Sequence, residues 1–97
     1  LYMITNNWSY LIEFVGTFIF MYVIISTGQA IPIGITLAAM IYLGGKISGG
    51  AFNPAVATML YLNKTLDTQR YVLYLFLQIV AAICALSFYQ HIKSEED

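Results

Sequence analysis

The chain has 97 residues, of which 60% are hydrophobic and only 9% charged, and its formal net charge is −1. A soluble domain normally carries about 25% charged residues, so this composition excludes an ordinary water-soluble globule. The near-neutral balance and the lack of a basic run exclude nucleic acid as a partner, and a mean hydropathy of +0.76 points to the lipid bilayer instead.

Leu1 to Asn7 read as a polar lead-in, with Trp8 and Tyr10 placed as interfacial aromatics. The sequence does not open on methionine, which fits a fragment, a processed form or a trimmed chain. A first apolar segment runs from about Trp8 to Thr27, long enough to cross a bilayer. It lacks a basic n-region and carries Glu13 in its apolar run, which is unlike a signal peptide. An ionisable group inside a span is a functional candidate by default. Glu13, Gly16, Thr17 and Phe20 follow the spacing of one helix face, suited to close helix approach. There the carboxylate can reach backbone donors that a broken loop leaves unpaired, so we read Glu13 as a brace rather than a transport group.

A second apolar segment, from about Gln29 to Gly45, is near the lower limit of about 17 residues for a span. The connection at Ser26-Thr27-Gly28 is very short, which makes the first two helices antiparallel neighbours. Gly34 and Ala38 form a small-xxx-small pair, expected to serve helix packing.

The most informative stretch comes next, Ser48-Gly49-Gly50-Ala51-Phe52-Asn53-Pro54-Ala55-Val56, a glycine-rich break in an apolar chain. Broken backbone at membrane depth is tolerated only where it is buried in protein or lines a water-filled path. Asn53 suits an N-cap and Pro54 the first helical position, so a helix of about ten residues, roughly 15 Å long, runs to Leu62. That is about half of a hydrocarbon core. Its N-terminus would aim unpaired N–H groups and the positive end of its dipole at whatever occupies the membrane centre.

Asn63 to Arg70 read as a polar loop leading into a third segment from about Tyr71 to Tyr89. Gln78, Ala81, Ala82 and Ala85 share one face of it, with Gln78 expected to bond across to the half helix or its loop. Cys84 reads as a small core residue. His91 to Asp97 form a charged tail, in which His91 reads as a solvated residue. Lys46, Lys64 and Arg70 flank the break while only Lys93 lies beyond the third segment, which places the loop and the N-terminus on the cytoplasmic side. Two glycosylation sequons, at Asn7 and Asn63, fall on that same side and are discounted. The reading is an all-α, multi-pass membrane protein, a single membrane domain over 1–97. It has three spans, about 8–27, 29–45 and 71–89, and one re-entrant loop and half helix over about 46–62.

At this point the chain resembles one repeat of the aquaporin, or major intrinsic protein, family. Ile12-Glu13-Phe14-Val15-Gly16-Thr17-Phe18 is similar to that family's opening helix, Ile47 to Val56 to its pore loop, and Phe76-Leu77-Gln78 with Ala81-Ala82 to its third helix. The resemblance implies a passive channel for water or small neutral solutes such as glycerol, with no enzyme activity, no cofactor and no metal. It implies that Asn53 donates its amide to the permeant, with Pro54 and Ala55 completing the motif. Gly49, Gly50, Ala51 and Phe52 would offer a file of backbone carbonyls. It places Ile33 at the narrow selectivity region and makes Glu13 and Gln78 supports of the pore loop. Ala51 stands where many members have histidine, so one bracing contact is absent. Val56 marks the first type of repeat, since the second type carries arginine there. The family's pore is built from two inverted repeats, so this chain needs a second repeat, another copy or a separate half, to enclose one.

Two other readings compete. A dual-topology small multidrug transporter also has a glutamate followed by Gly-Thr in its first span, used for proton exchange, but has four spans and no half helix. An inactive half-channel fragment is the other.

Overall fold

The computed structural model describes residues 3–96, and among them every regular element is a helix. Helix α1 spans Trp8–Thr27, α2 Ala30–Ser48, α3 Pro54–Leu62 and α4 Thr68–Glu96. Helices α1, α2 and α4 are each long and apolar enough to cross a membrane. At 1.5 Å per residue α3 is only about 14 Å long, a half-span.

Local chemistry sets each boundary. Gly28, at φ 58°, takes the left-handed conformation that closes α1, and its N–H returns to Ile24 O at 3.0 Å. Only Gly28 and Gln29 separate α1 from α2, so the two run antiparallel. Pro32 falls in the first turn of α2, where its missing N–H costs nothing. Gly44 and Gly45 do not stop α2, which continues through Lys46 and Ile47 to Ser48. Gly49, at φ 87°, stops it, with its N–H on Gly45 O at 2.8 Å.

Helix α4 is longer than the apolar stretch that announced it. Its first turn takes in Thr68, Gln69 and Arg70, with Asp67 Oδ1 capping Arg70 N at 2.7 Å. Its end takes in the charged residues through Glu96, spaced for His91–Glu95 and Lys93–Glu96 contacts. Hydropathy marks depth in a membrane, not the end of a helix, and Glu, Lys and Gln are good helix formers. Asp97 lies outside the described residues.

Helix α1 is the centre of the bundle, packed on α2 and on α4, while α3 packs on α4. Its buried face is Ser9, Glu13, Gly16, Thr17 and Phe20. The facing stripe on α4 is Arg70, Tyr74, Gln78, Ala81 and Ala85, with small residues where the backbones approach. Gly44 of α2 accepts Ile12, whose Cγ2 would collide with any Cβ placed there. Gly34 and Ala38 do not pack inside the chain. Both are exposed, and nothing lies within 4 Å of a Cβ built on Gly34. The outer surface carries large apolar side chains such as Ile31, Ile35, Tyr42 and Phe76, the pattern of a protein solvated by lipid. The compact core sits at one end, beneath the re-entrant loop, as Ile4, Ala51, Ala57, Leu66 and Tyr74.

Candidate functional site

The chain from Gly49 to Asn53 turns back into the bundle through three left-handed residues: Gly49 at φ 87°, Gly50 at 65° and Phe52 at 57°. The first two are glycines, for which this conformation carries no penalty. Phe52 is not, and the strain at that position is held in place by its surroundings. Its side chain is fully buried, and its ring lies on Gly16 so closely that a Cβ there would overlap Phe52 Cε1.

Glu13 holds the backbone of this turn. Its Oε2 accepts from Ser48 Oγ at 2.8 Å and Ala51 N at 3.1 Å. Its Oε1 accepts from Phe52 N at 2.9 Å and Gln78 Nε2 at 3.1 Å. Gly50 N donates in turn to Ser48 Oγ at 3.1 Å, so the amides of Gly50, Ala51 and Phe52 are all met by side chains. Tyr74 closes the cluster by donating its hydroxyl to Ser48 O at 2.6 Å.

The donor set shows what this carboxyl group supplies to the turn. Two of its four partners, the backbone N–H groups of Ala51 and Phe52, can only donate, and they lie on different oxygens, so both oxygens must accept. The carboxylate meets both N–H groups and also takes Ser48 Oγ and the Gln78 amide, one on each oxygen. Each buried donor would otherwise be orphaned at about 1–3 kcal/mol, so one carboxylate holds several kcal/mol of loop structure.

Asn53 follows in an extended conformation, and its Oδ1 caps α3 by accepting from Val56 N at 2.9 Å. That use of the oxygen leaves its Nδ2 without a hydrogen bond among the described residues. Pro54 and Ala55 begin α3 and are exposed. Helix α3 is seated on α4 by Thr58 Oγ1 against Tyr71 Oη at 2.8 Å and by Tyr61 stacked on Tyr71 at 4.5 Å between ring centres.

Two hollows flank Phe52. One, of about 210 Å³, lies between α1 and α2 and is lined by apolar groups including Ile12, Met40 and Leu43. The other, of about 150 Å³, is bordered by Thr17, Met21, Asn53, Pro54 and Gln78. Ile33 borders neither hollow; it sits in the first turn of α2, near the α1–α2 connection. The fold thus gathers Glu13, Gln78, Gly49 to Phe52, Asn53 and Pro54, and leaves Ile33 apart. Gln78 reaches the loop through Glu13 rather than bonding to the loop or to α3 itself.

Three side-chain roles escape a reading of the sequence. Ser48 looks like part of the break but is the last residue of α2, and both its hydroxyl and its carbonyl are used. Tyr74 carries a usable signal, since it stands four residues before Gln78 on the same α4 face. Phe52 gives none, because its seat on Gly16 depends on a contact between distant segments.

The sequence profile of the major intrinsic protein family matches residues 27–96. The chain belongs to this family. Glycerol uptake facilitator protein-like 6 of Lactiplantibacillus plantarum is 39% identical over 85 residues, covering 78% of this chain and 39% of that protein. Probable aquaporin PIP-type 7a of Pisum sativum is 31% identical over 100 residues, covering 81% of this chain and 35% of its own. Probable aquaporin PIP1-4 of Arabidopsis thaliana is 32% identical over the same length and similar coverage, 81% and 35%. The chain therefore spans 35–39% of the length of these curated relatives. No solved structure matches it. As a member of this family with three helices fit to span, it is an integral, multi-pass membrane protein.

Proposed function

We propose that this chain is one repeat of a passive channel for water or small neutral solutes such as glycerol, and that a second repeat completes the pore. The observation that carries the reading is the re-entrant turn itself, a strained loop braced by a buried carboxylate and ending in an Asn-capped half helix. Asn53 Nδ2, left free by the capping bond, is the donor to a permeating oxygen. The carbonyls of Gly49 to Phe52 are the acceptors along its path, with Pro54 and Ala55 at the tip and Ile33 shaping a narrow region away from it. The N-terminus of α3 contributes the positive end of its dipole, which disfavours cations. The relatives named for glycerol uptake and as aquaporins support the solute class, and their greater length supports a missing second repeat. With its oxygens filled by donors, Glu13 is a brace and a poor site for proton exchange.

Stopped-flow shrinkage of proteoliposomes tests this, with the chain alone and with a co-expressed second-type repeat. Accelerated water or glycerol flux without proton coupling is the expected result. Asn53→Asp, which keeps the capping oxygen, lowers flux or admits cations. Absence of flux in both preparations, or an Asn53→Asp protein with unchanged flux and selectivity, would sink the reading.

A further inference from the structure

Thr5, Asn6 and Asn7 lead into α1 as a polar stretch, yet Ile4 just before them is only 3% exposed. Its N–H donates to Thr65 O at 2.8 Å, tying it to the loop between α3 and α4. Its side chain joins Ala51, Ala57, Leu66 and Tyr74, and its Cγ1 lies 3.9 Å from the position of a Cβ on Gly49. Ile4 therefore packs against the back of the re-entrant turn.

Arg70 fastens the residues that follow. This guanidinium is 7% exposed, and Nη1 donates to Asn6 O at 3.0 Å and to Ser9 Oγ at 2.6 Å. Nη2 donates to Thr5 O at 3.3 Å and to Asn7 Oδ1 at 3.2 Å. The group also lies 4.7 Å from the centre of the Tyr10 ring. No carboxylate is among these partners. Burying a guanidinium is costly unless its donors are met, and here both terminal nitrogens are met by one short segment of backbone and side chains, with Nε alone left without a partner among the described residues. A second route links the same cation to the turn, since Tyr10 packs edge-on to Tyr74 at 6.1 Å and Tyr74 donates to Ser48 O.

We propose that Ile4 to Asn7 form a strap, buckled by Arg70, that holds the re-entrant turn in register from behind. Arg70 is then a positioning residue for the pore loop, acting through Ile4, and not merely one of the basic residues that orient the chain. With the strap released, the turn keeps Glu13 but loses the wall behind Gly49 and Ala51, so its carbonyls wander from a common line. The consequence for flux rests on the channel reading above; the consequence for loop order does not.

Hydrogen exchange in lipid nanodiscs tests the strap directly, on peptides covering 48–53. Arg70→Leu and Ile4→Ser each raise exchange there roughly tenfold, while peptides at the α1–α2 turn keep wild-type rates. The double variant exchanges no faster than the faster single one, because both act through one strap. Ile4→Val, which keeps most of the plug, stays close to wild type. In vesicles the same two singles lower flux and shift the water-to-glycerol ratio. If Arg70→Leu fails to insert, Ile4→Ser decides the matter, since it leaves every Arg70 contact in place. Wild-type exchange over 48–53 in Ile4→Ser, or simple additivity in the double variant, overturns the strap. A non-conducting wild type that still shows the exchange pattern instead removes the channel reading and leaves the strap standing.

Discussion

The two ends of the bundle are held by different forces. At the loop end, Glu13, Ser48, Tyr74, Gln78 and Arg70 form directed bonds among groups that are all buried. At the other end, α1 and α4 meet through rings: Phe18 on Phe88 at 6.0 Å, Tyr22 on Phe88 at 5.6 Å and Tyr22 on Tyr89 at 6.3 Å. Hydrogen bonds in a low-dielectric interior have one geometry that satisfies every member, and a penalty for any other. Ring pairs accept more than one arrangement, offset-stacked or edge-on, with centres anywhere from about 4.5 to 7 Å apart. The bundle is therefore rigid where a backbone turn must be aimed and tolerant where two helices only need to stay together.

The sharpest way to break this contrast is Glu13→Gln. The new NH₂ must face Ala51 N–H on one oxygen position or Phe52 N–H on the other, a clash of donors worth about 3 kcal/mol. We expect a large fall in the thermal midpoint in detergent, greater than for Glu13→Asp, with assembly impaired in both. A stable but transport-dead Glu13→Gln protein would instead show that the carboxyl carries protons. Next comes Gly16→Ala, whose methyl enters the Phe52 ring and costs about 2 kcal/mol of overpacking. Its effect should appear as faster exchange at the turn as well as lower stability. At the ring end, Phe88→Leu should cost within about 1 kcal/mol and leave flux unchanged, because Phe88 is 47% exposed and only loosely oriented. A Phe88→Leu loss as large as that of Gly16→Ala would erase the distinction between the ends.

The smallest effect sharpens the comparison from inside the polar end. The buried Thr17 Oγ1 makes no hydrogen bond, so not every polar atom near Glu13 contributes. Thr17→Val removes an unpaired hydroxyl at nearly constant shape and should be neutral or slightly stabilising. Marked destabilisation by Thr17→Val, read from the same thermal unfolding, would mean that this hydroxyl has a partner in the assembled protein.

Much of the fold was legible because its signals are local. Gly49-Gly50 permits left-handed backbone, Asn53-Pro54 starts a helix, and apolar runs of spanning length report lipid wherever they occur. The spacing of Glu13, Gly16, Thr17 and Phe20 likewise announced a buried face, because helical period is a property of one segment. Other features needed the third dimension. Gly34 and Ala38 have the spacing of a packing pair yet face outward, since which side of α2 meets α1 is set by where the connection leaves it. Helix α4 outruns its apolar stretch because its ends are set by Asp67 and by charged residues that favour helix outside lipid. Arg70 read as one of the basic residues that set the orientation of the chain and became a buried clamp on residues more than sixty positions away. The partners of Glu13 lie 35 to 65 positions along the chain, beyond any periodic signal. Sequence determines the conformations that single residues favour and the solvent that each segment prefers. Which buried donors meet which acceptor was decided only when α1, the turn and α4 were packed together.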